Sequence, residues 1–355
     1  MVLQRTELSM WGLILAVVPF LISPMASAGP FSTPKVGQMS EQAEIIVKAT
    51  VSEVTQVREG QNSLSSDPTI RSFFFEAELQ PLYALKGTVG LAPMKVSYEM
   101  GTVSLPIEYL VKGATYLVFL KPSGDGYALV SPARSKILAD PRCPNVQPQG
   151  ATVEDRLHGE FGGALDSADP AVVEAALTAL GELGLSKDEA GLAARFIYSP
   201  DKVLAGCALV TLLKSGHFEY LGDAVAYMGT YPKTSSKEFG YAAKIGVVVR
   251  LITDPEVAVR LIGSMDSPNL LVRQSATYAL RRAKVRAAVP LFVKGLEDAD
   301  FDIRYNCLMG LAETVEGKLI PEWAPGTEHF AKDEGKYIRA WQDWWEKEGK
   351  EKTWK

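Results

Sequence analysis

His158 and Glu160 are the nearest approach to an acid–base pair in this chain of 355 residues. A general acid or base works only when it is held within reach of a substrate proton, and these two residues lie on a predicted linker, so we expect both to face solvent. His217 and His329 lie far away in the sequence, and the chain contains no H-E-x-x-H, G-x-S-x-G or phosphate-binding G-x-x-x-x-G-K-[ST] motif. We predict no catalytic residue and no cofactor. A hydrolase or lyase site formed between two domains stays open as an alternative.

Asp298, Asp300 and Asp302 have the D-x-D-x-D spacing of a calcium loop. Such a loop also needs a glycine at its sharp turn and a glutamate at its end, and this chain has Ile303 and Met309 there. We therefore exclude an EF-hand. The carboxylates are expected near a helix N-terminus, where backbone N–H groups and the helix dipole favour negative charge, and no metal site is predicted.

The three cysteines, Cys143, Cys207 and Cys307, form an odd set without the close spacing of metal ligands. Cys207 and Cys307 lie in segments rich in Ala and Leu, so we expect them to be buried as small apolar residues. Cys143 is the one thiol expected to be accessible. With only Arg142 beside it to favour the thiolate, we interpret it as an unpaired linker thiol.

The densest positive cluster lies at the end of a predicted helix. If it functions, it would steer an acidic partner toward the chain, and a solvated turn is the alternative. Two more arginines recur at one position of a repeat, where we expect a structural ladder with nearby carboxylates and keep ligand binding as the alternative. The candidate binding residues are Arg273, Arg281, Arg282, Lys284, Arg286 and Arg304.

The first 28 residues have the pattern of a secretory signal peptide. An apolar run over residues 10–22 follows Arg5, and an Ala-Ser-Ala triplet ends at Ala28. The run is shorter than the roughly twenty residues that a membrane span requires. We predict cleavage before Gly29, a mature chain without a membrane span, and a periplasmic or extracellular location.

Composition limits the classes of partner. With 47% hydrophobic and 22% charged residues, the chain can fill sizeable cores in about two domains. Its net charge of -5 argues against nucleic-acid binding, which relies on cations that neutralise phosphates. The expected partner is therefore another protein.

Residues 29–140 alternate in the manner of β-strands. The clearest hairpin joins residues 116–120 to 127–130 through a turn rich in Gly and Pro. Polar residues 58–71 predict a long exposed loop between the first two strands. Five or six short strands without an intervening helix favour a small closed or half-closed β-barrel.

A family resemblance agrees with this pattern. The segments EIIVKATV (44–51), LKG (85–87) and GATYLVFL (113–120) resemble bacterial relatives of the netrin-like, OB-type barrel of tissue inhibitors of metalloproteinases. The resemblance covers about 100 residues and implies a barrel that binds protein. In those inhibitors an N-terminal cysteine binds the protease zinc, whereas this chain has no cysteine between Gly29 and Arg142. Metalloproteinase inhibition is therefore not implied.

From about residue 151 the pattern becomes helical. One segment occurs twice, at 267–280 and 298–311, and Asp-Pro or Ser-Pro-Asp begins two earlier helices, over 171–180 and 202–213. A period of that size indicates stacked helix pairs, because one pair cannot bury its own apolar face. The D-x-x-x-x-[VI]-R-x-x-A-x-x-[AG]-L pattern resembles short bacterial HEAT repeats. We expect about five pairs in an α-α superhelical solenoid.

The C-terminal residues predict a helix that covers the last repeat, because its apolar residues share one face; an aromatic platform for sugar is the alternative. Those residues are Tyr337, Ile338, Trp341, Trp344 and Trp345. A basic tail follows, in which Trp354 has no predicted place.

The predicted organisation is a signal peptide (1–28), a β-barrel domain (29–140), a linker (141–155), a HEAT-repeat solenoid (156–330) and a capping helix with a basic tail (331–355). Since solenoids present long, rigid surfaces, we predict an exported, non-catalytic protein-binding or scaffolding module. The alternative is an inhibitor or regulator of a secreted hydrolase that acts through the barrel loops, with residues 58–71 as the expected contact.

Overall fold

The computed structural model describes residues 33–61, 71–101, 110–131, 134–144, 147–231 and 236–354. Within those ranges a sheet region is followed by helices, so the predicted order of β then α is confirmed. The predicted signal peptide lies outside the described residues. No helix in the described ranges has both the length and the apolar character needed to cross a membrane.

The sheet region contains six strands: β1 (Ile45–Gln61), β2 (Arg71–Lys86), β3 (Met94–Gly101), β4 (Thr115–Ser123), β5 (Gly126–Leu129) and β6 (Lys136–Ala139). β1 pairs with β2 along its length and with β4 through its first residues. β3 pairs with β2 on one side and, in parallel, with β5 on the other. The pairing order β1-β2-β3-β5-β4 therefore returns to β1, and β6 extends the sheet beyond β4.

Two boundaries in the sheet region differ from the sequence prediction. Residues 58–61 continue β1 instead of forming a loop, because their backbone pairs with β2, with Arg58 opposite Phe74. Arg58 and Glu59 are exposed, so their polar side chains are compatible with a strand. Arg71, the last residue of the predicted loop, begins β2, and residues 62–70 lie outside the described residues. The β4–β5 turn is also shorter than predicted, since Ser123 already pairs with Gly126.

Most of the helices follow β6, and one short helix that the sequence pattern did not predict precedes β1. The α-helices are α1 (Val36–Gln42), α2 (Val153–Ala164), α3 (Pro170–Leu183), α4 (Lys187–Ala194), α5 (Lys202–Lys214), α6 (Leu221–Thr230), α7 (Lys237–Arg250), α8 (Pro255–Ala258), α9 (Leu270–Arg282), α10 (Val289–Gly295), α11 (Phe301–Thr314), α12 (Thr327–Lys332) and α13 (Glu334–Trp344). Shorter turns of 3-10 helix lie at Phe218–Tyr220, Val259–Asp266 and Arg286–Ala288, and a π-helical turn lies at Trp345–Gly349.

Aspartate side chains begin several of these helices, as the sequence predicts. Asp169 accepts a hydrogen bond from the Ala171 amide at the start of α3, and Asp201 accepts one from the Val203 amide at the start of α5. Asp300 begins α11 in the same way. The middle carboxylate of the D-x-D-x-D segment therefore caps a helix.

The longer helices α3, α5, α7, α9 and α11 pack side by side in chain order. Glycines permit close approach, since a Cβ added at Gly310 would lie 2.8 Å from the Phe292 ring. Leu280 and Leu311 are fully buried at matching positions of α9 and α11. Cys207 and Cys307 are buried among these helices, as predicted.

Two hydrophobic cores meet at the sheet. One lies within the strands and includes Val47 and Val118, while the other includes Ile46 and Phe119 and continues through the helices to Trp341. Successive residues of a strand point to opposite faces, so β1 and β4 supply side chains to both cores. The sheet region and the helices thus share an apolar interface.

Aromatic packing ends the helical region. Trp341 and Trp344 of α13 are buried, and Trp341 donates a hydrogen bond to the Trp323 carbonyl. Trp354 folds back onto this group, with its ring 6.1 Å from that of Trp344 and its indole N–H bonded to the Gly349 carbonyl. This contact gives Trp354 the place that the sequence did not predict.

Candidate functional site

Arg273 and Arg304 occupy the same position in α9 and α11 and make matching contacts. Arg273 donates to both carboxylate oxygens of Asp298, at 3.1 and 3.4 Å, and to the Ser267 carbonyl at 2.9 Å. Arg304 pairs with Glu334 at 2.8 Å and donates to the Asp298 carbonyl at 2.9 Å. Each arginine side chain is only 20% exposed. Both arginines therefore neutralise carboxylates of their own chain and link adjacent helical elements.

Arg281 is also paired within the chain. Its guanidinium contacts both carboxylate oxygens of Glu313, the shortest distance being 2.7 Å, and donates to the Asn306 side chain at 2.8 Å. Both partners lie on α11. Of the six candidate binding residues, Arg273, Arg281 and Arg304 thus have their charge satisfied by neighbouring elements.

Arg282, Lys284 and Arg286 form what we call the basic turn, at the C-terminal end of α9. All three are exposed, and their side chains form no hydrogen bond or ion pair with any described residue. The Arg286 guanidinium lies 5.8 Å from the centre of the Trp354 ring. The structure therefore divides the predicted cluster, because Arg281 turns toward α11 while the other three cations face solvent.

A second group of charges, which we call the buried junction, lies where the sheet meets the helices. Lys48 of β1 and Glu160 of α2 are 0% and 1% exposed, and Nζ lies 2.9 Å from Oε1. Lys48 also donates to the Cys143 carbonyl at 2.7 Å and to the Tyr83 hydroxyl at 3.2 Å. Tyr83 in turn donates to Glu160 Oε2. Three separate parts of the chain are thus joined through one buried ammonium group.

The environment of the buried junction disfavours additional charge. Burial raises the pKa of Glu160, and the Lys48 ammonium and the Tyr83 hydroxyl oppose that shift. Burial also raises the pKa of Tyr83, helped by the neighbouring Glu160 carboxylate. The Tyr83 hydroxyl is therefore held as a donor, which suits a structural contact.

The prediction that Glu160 faces solvent is wrong. Residues 153–164 form α2, which begins inside the segment predicted as a linker, and Glu160 lies on the same helix face as the buried Leu157 and Phe161. His158 is partly exposed, with Nδ1 2.8 Å from Glu189 on α4. His158 and Glu160 therefore contact different partners instead of forming an acid–base pair.

Further contacts join the sheet region to the helices. Arg134 pairs with both carboxylate oxygens of Glu182 on α3, and Glu182 also accepts from the Val36 amide of α1. Asp140, after β6, accepts from the Ser167 hydroxyl at 2.8 Å. Hydrogen bonds from the Arg142 side chain, the Arg142 amide and the Ser167 hydroxyl hold the pKa of Asp140 at about 2.

A cleft of about 480 Å³ lies on the sheet region. The Arg58 guanidinium stacks 3.8 Å from the centre of the Phe74 ring, and Phe75 stacks on Tyr98 with ring centres 5.3 Å apart. Lys121 also lines the cleft. The cleft thus combines aromatic and charged side chains. No described residues form a group of three or more possible metal ligands.

Sequence reasoning missed the buried junction, although signals for it are present. Lys48 interrupts an apolar strand, and Glu160 takes one position of the i, i+3, i+4, i+7 stripe that Leu157, Phe161 and Ala164 complete. A charge on an apolar stripe predicts a buried partner. Neither pattern identifies which charge that partner is.

Comparisons with known proteins do not assign a family. No protein-family model matches the chain, and no curated protein matches it. The crystal structure of an engineered protein aligns with 48% of this chain and 86% of its own, at 15% sequence identity and a TM-score of 0.31. A similarity of that size supports no conclusion about fold or function.

Proposed function

We propose that this chain is an exported, non-catalytic protein-binding or scaffolding module. In this proposal the sheet region is an OB-type barrel and the helices form an α-solenoid of HEAT-type repeats. The pairing order that returns to β1 supports the barrel, and the side-by-side packing of α3, α5, α7, α9 and α11 supports the solenoid. A signal peptide at residues 1–28 would direct the chain to the periplasm or the cell exterior.

The observation that carries the proposal is that charged groups join successive elements. Arg273 and Arg304 link neighbouring helical elements, and Lys48 with Glu160 links the sheet region to the helices. A surface held in one conformation loses little entropy when a partner binds. Such a surface therefore suits recognition of another protein.

The test is affinity capture of proteins by the mature chain, residues 29–355, from an envelope and secreted fraction. We expect a reproducible partner, and we expect weaker capture by Arg273→Gln/Arg304→Gln, which keeps side chains of similar size but removes both ion pairs. Lys187→Gln/Lys214→Gln, which removes two exposed charges elsewhere, is the matched control. Failure to recover any partner at low or high salt would overturn the proposal.

The cleft on the sheet region favours a second candidate function, inhibition or regulation of a secreted hydrolase. Val57 is 49% exposed beside the Arg58–Phe74 stack, so an apolar residue and a cation are presented together. Arginine and aromatic groups commonly supply much of the binding energy of protein interfaces. We expect the mature chain to slow at least one member of a panel of secreted hydrolases, and Val57→Asp/Arg58→Ala to lose that effect. If the double variant inhibits the hydrolase as well as the parent does, this cleft is not the inhibitory surface.

A further inference from the structure

The basic turn differs from the paired arginines of α9 and α11. Arg273, Arg281 and Arg304 are each neutralised by a carboxylate. Arg282, Lys284 and Arg286 lie within five residues of one another and none has a carboxylate within ion-pair distance among the described residues. A cation in the last turn of a helix, such as Arg282, interacts favourably with the helix dipole, but neighbouring like charges repel one another and no carboxylate offsets that repulsion here.

Lys284 adds a second cost, in its backbone. It is the only non-glycine residue with positive φ in the described ranges, at 52°. The hydrogen bonds from Lys284 to the Arg281 carbonyl and from Val285 to the Leu280 carbonyl form a helix C-terminal turn. L-amino acids other than Asn and Asp rarely adopt this conformation, because their Cβ approaches the backbone.

An equivalent turn elsewhere in the chain shows the alternative. At the end of α5, Gly216 donates to the Leu213 carbonyl and His217 to the Leu212 carbonyl, which repeats the pattern after α9. Gly216 has a φ of 85° and meets no heavy atom that would obstruct a Cβ. Glycine is thus used where the turn only has to end a helix, and the lysine after α9 places a charge there at the expense of an unfavourable conformation.

The C-terminal tail completes the surface. Trp354, half-buried, is held by its hydrogen bond to the Gly349 carbonyl and its contact with Trp344, and its ring lies 5.8 Å from the Arg286 guanidinium. Glu348 and Glu351 belong to the same tail, yet neither forms an ion pair with the basic turn. The Trp354 ring therefore lies beside Arg286, one of three neighbouring cations whose charge is not neutralised.

We propose that the basic turn and Trp354 form a docking site for an acidic segment of a partner protein. The proposal rests on the protein-binding function above and names the chemistry of the partner. Glutamate or aspartate side chains would neutralise the three cations, and an apolar residue of the same segment would pack on the indole. A protein segment suits the site better than a nucleic acid, since the chain carries a net charge of -5 and the basic turn itself holds only three exposed cations.

The test uses the mature chain and a fluorescent poly-glutamate peptide containing one phenylalanine, with binding followed by anisotropy. Arg282→Gln/Lys284→Gln/Arg286→Gln is expected to weaken binding at least tenfold. The control, Lys187→Gln/Lys214→Gln/Arg260→Gln, removes three exposed charges that are not clustered and is expected to change binding less than twofold. Retained binding by the first triple variant, or an equal loss in the control, would overturn the proposal.

Further variants separate binding from folding and from simple charge attraction. Lys284→Gly removes one charge and the unfavourable backbone conformation of a non-glycine residue. It is therefore expected both to weaken binding of the acidic peptide and to raise the melting temperature of the chain. Trp354→Ala is expected to weaken binding of the phenylalanine-containing peptide more than binding of plain poly-glutamate. An oligonucleotide of equal charge that binds as tightly as the peptide would show a general anion site and contradict the proposal.

These results can be told apart from a failure of the proposed function. If the mature chain captures a protein partner equally well with and without the three charges, the binding function stands and the docking site is wrong. If the acidic peptide binds at the basic turn but no protein partner is recovered, the docking chemistry stands and the scaffold proposal loses its support.

Discussion

The buried junction and the basic turn each contain a lysine, in opposite surroundings. At the junction Lys48 is fully buried, and its ammonium is surrounded by the Glu160 carboxylate, a hydroxyl and a carbonyl. At the turn Lys284 is exposed and has no partner among the described residues. A buried charge without partners would be prohibitively costly, whereas an exposed one keeps its hydration and can still attract a ligand. The number of partners, more than the residue type, separates a structural charge from a candidate binding charge here.

Lys48→Met should have the largest effect, because it leaves Glu160 buried without its cation. We expect a loss of about 3–5 kcal/mol in the free energy of unfolding, measured by chemical denaturation. The double variant Lys48→Met/Glu160→Leu should recover most of that loss, since it removes both charges from the interface. If the single variant is as stable as the parent, the junction is not closed to water in solution.

The core beneath the basic turn provides the next prediction. Leu280 is fully buried, and its carbonyl accepts the hydrogen bond that closes the turn. Leu280→Ala should reduce the free energy of unfolding by about 2–5 kcal/mol because it leaves a cavity. Leu311→Ala, at the matching position of α11, is the control and should give a similar loss. If Leu280→Ala causes no loss of stability while Leu311→Ala does, the basic turn does not depend on the core beneath it.

Asp140 lies at the edge of the buried junction, and its contribution to the stability of the chain depends on pH. The pKa of Asp140 is lowered from 3.8 to about 2 by hydrogen bonds from the Arg142 side chain, so its contribution is present above pH 3.8 and is lost as the pH falls through about 2. Asp140→Asn should cost about 1 kcal/mol at neutral pH, because Arg142 is exposed and solvent screens the pair. Thermal melts across this range should show a shallower acid slope for the variant. Asp166→Asn, which alters an ion pair between two exposed side chains, is the matched control.

The order of the elements could be predicted from the sequence, but the buried junction could not. Period-2 alternation before residue 140 and proline-capped helices after it are local signals, and both regions follow them. The pairing of Lys48 with Glu160 joins residues 112 positions apart, and no local pattern encodes that distance. The same limit applied to the positive cluster, since the sequence placed Arg281 and Arg282 together and only the packing of α11 separates their roles.

Lys284→Gly should have the smallest effect and the opposite sign, which sharpens the comparison between the two regions. Glycine adopts a φ of 52° without steric cost but is more flexible in the unfolded chain, so we expect a net gain of about 0.5–1 kcal/mol in the free energy of unfolding. Lys284→Ala is the matched control, because it removes the same charge and keeps the Cβ. If alanine stabilises the chain as much as glycine does, the cost at this position is charge repulsion and not backbone conformation. If only glycine stabilises it, the basic turn retains a lysine where the fold alone would favour glycine, as at Gly216.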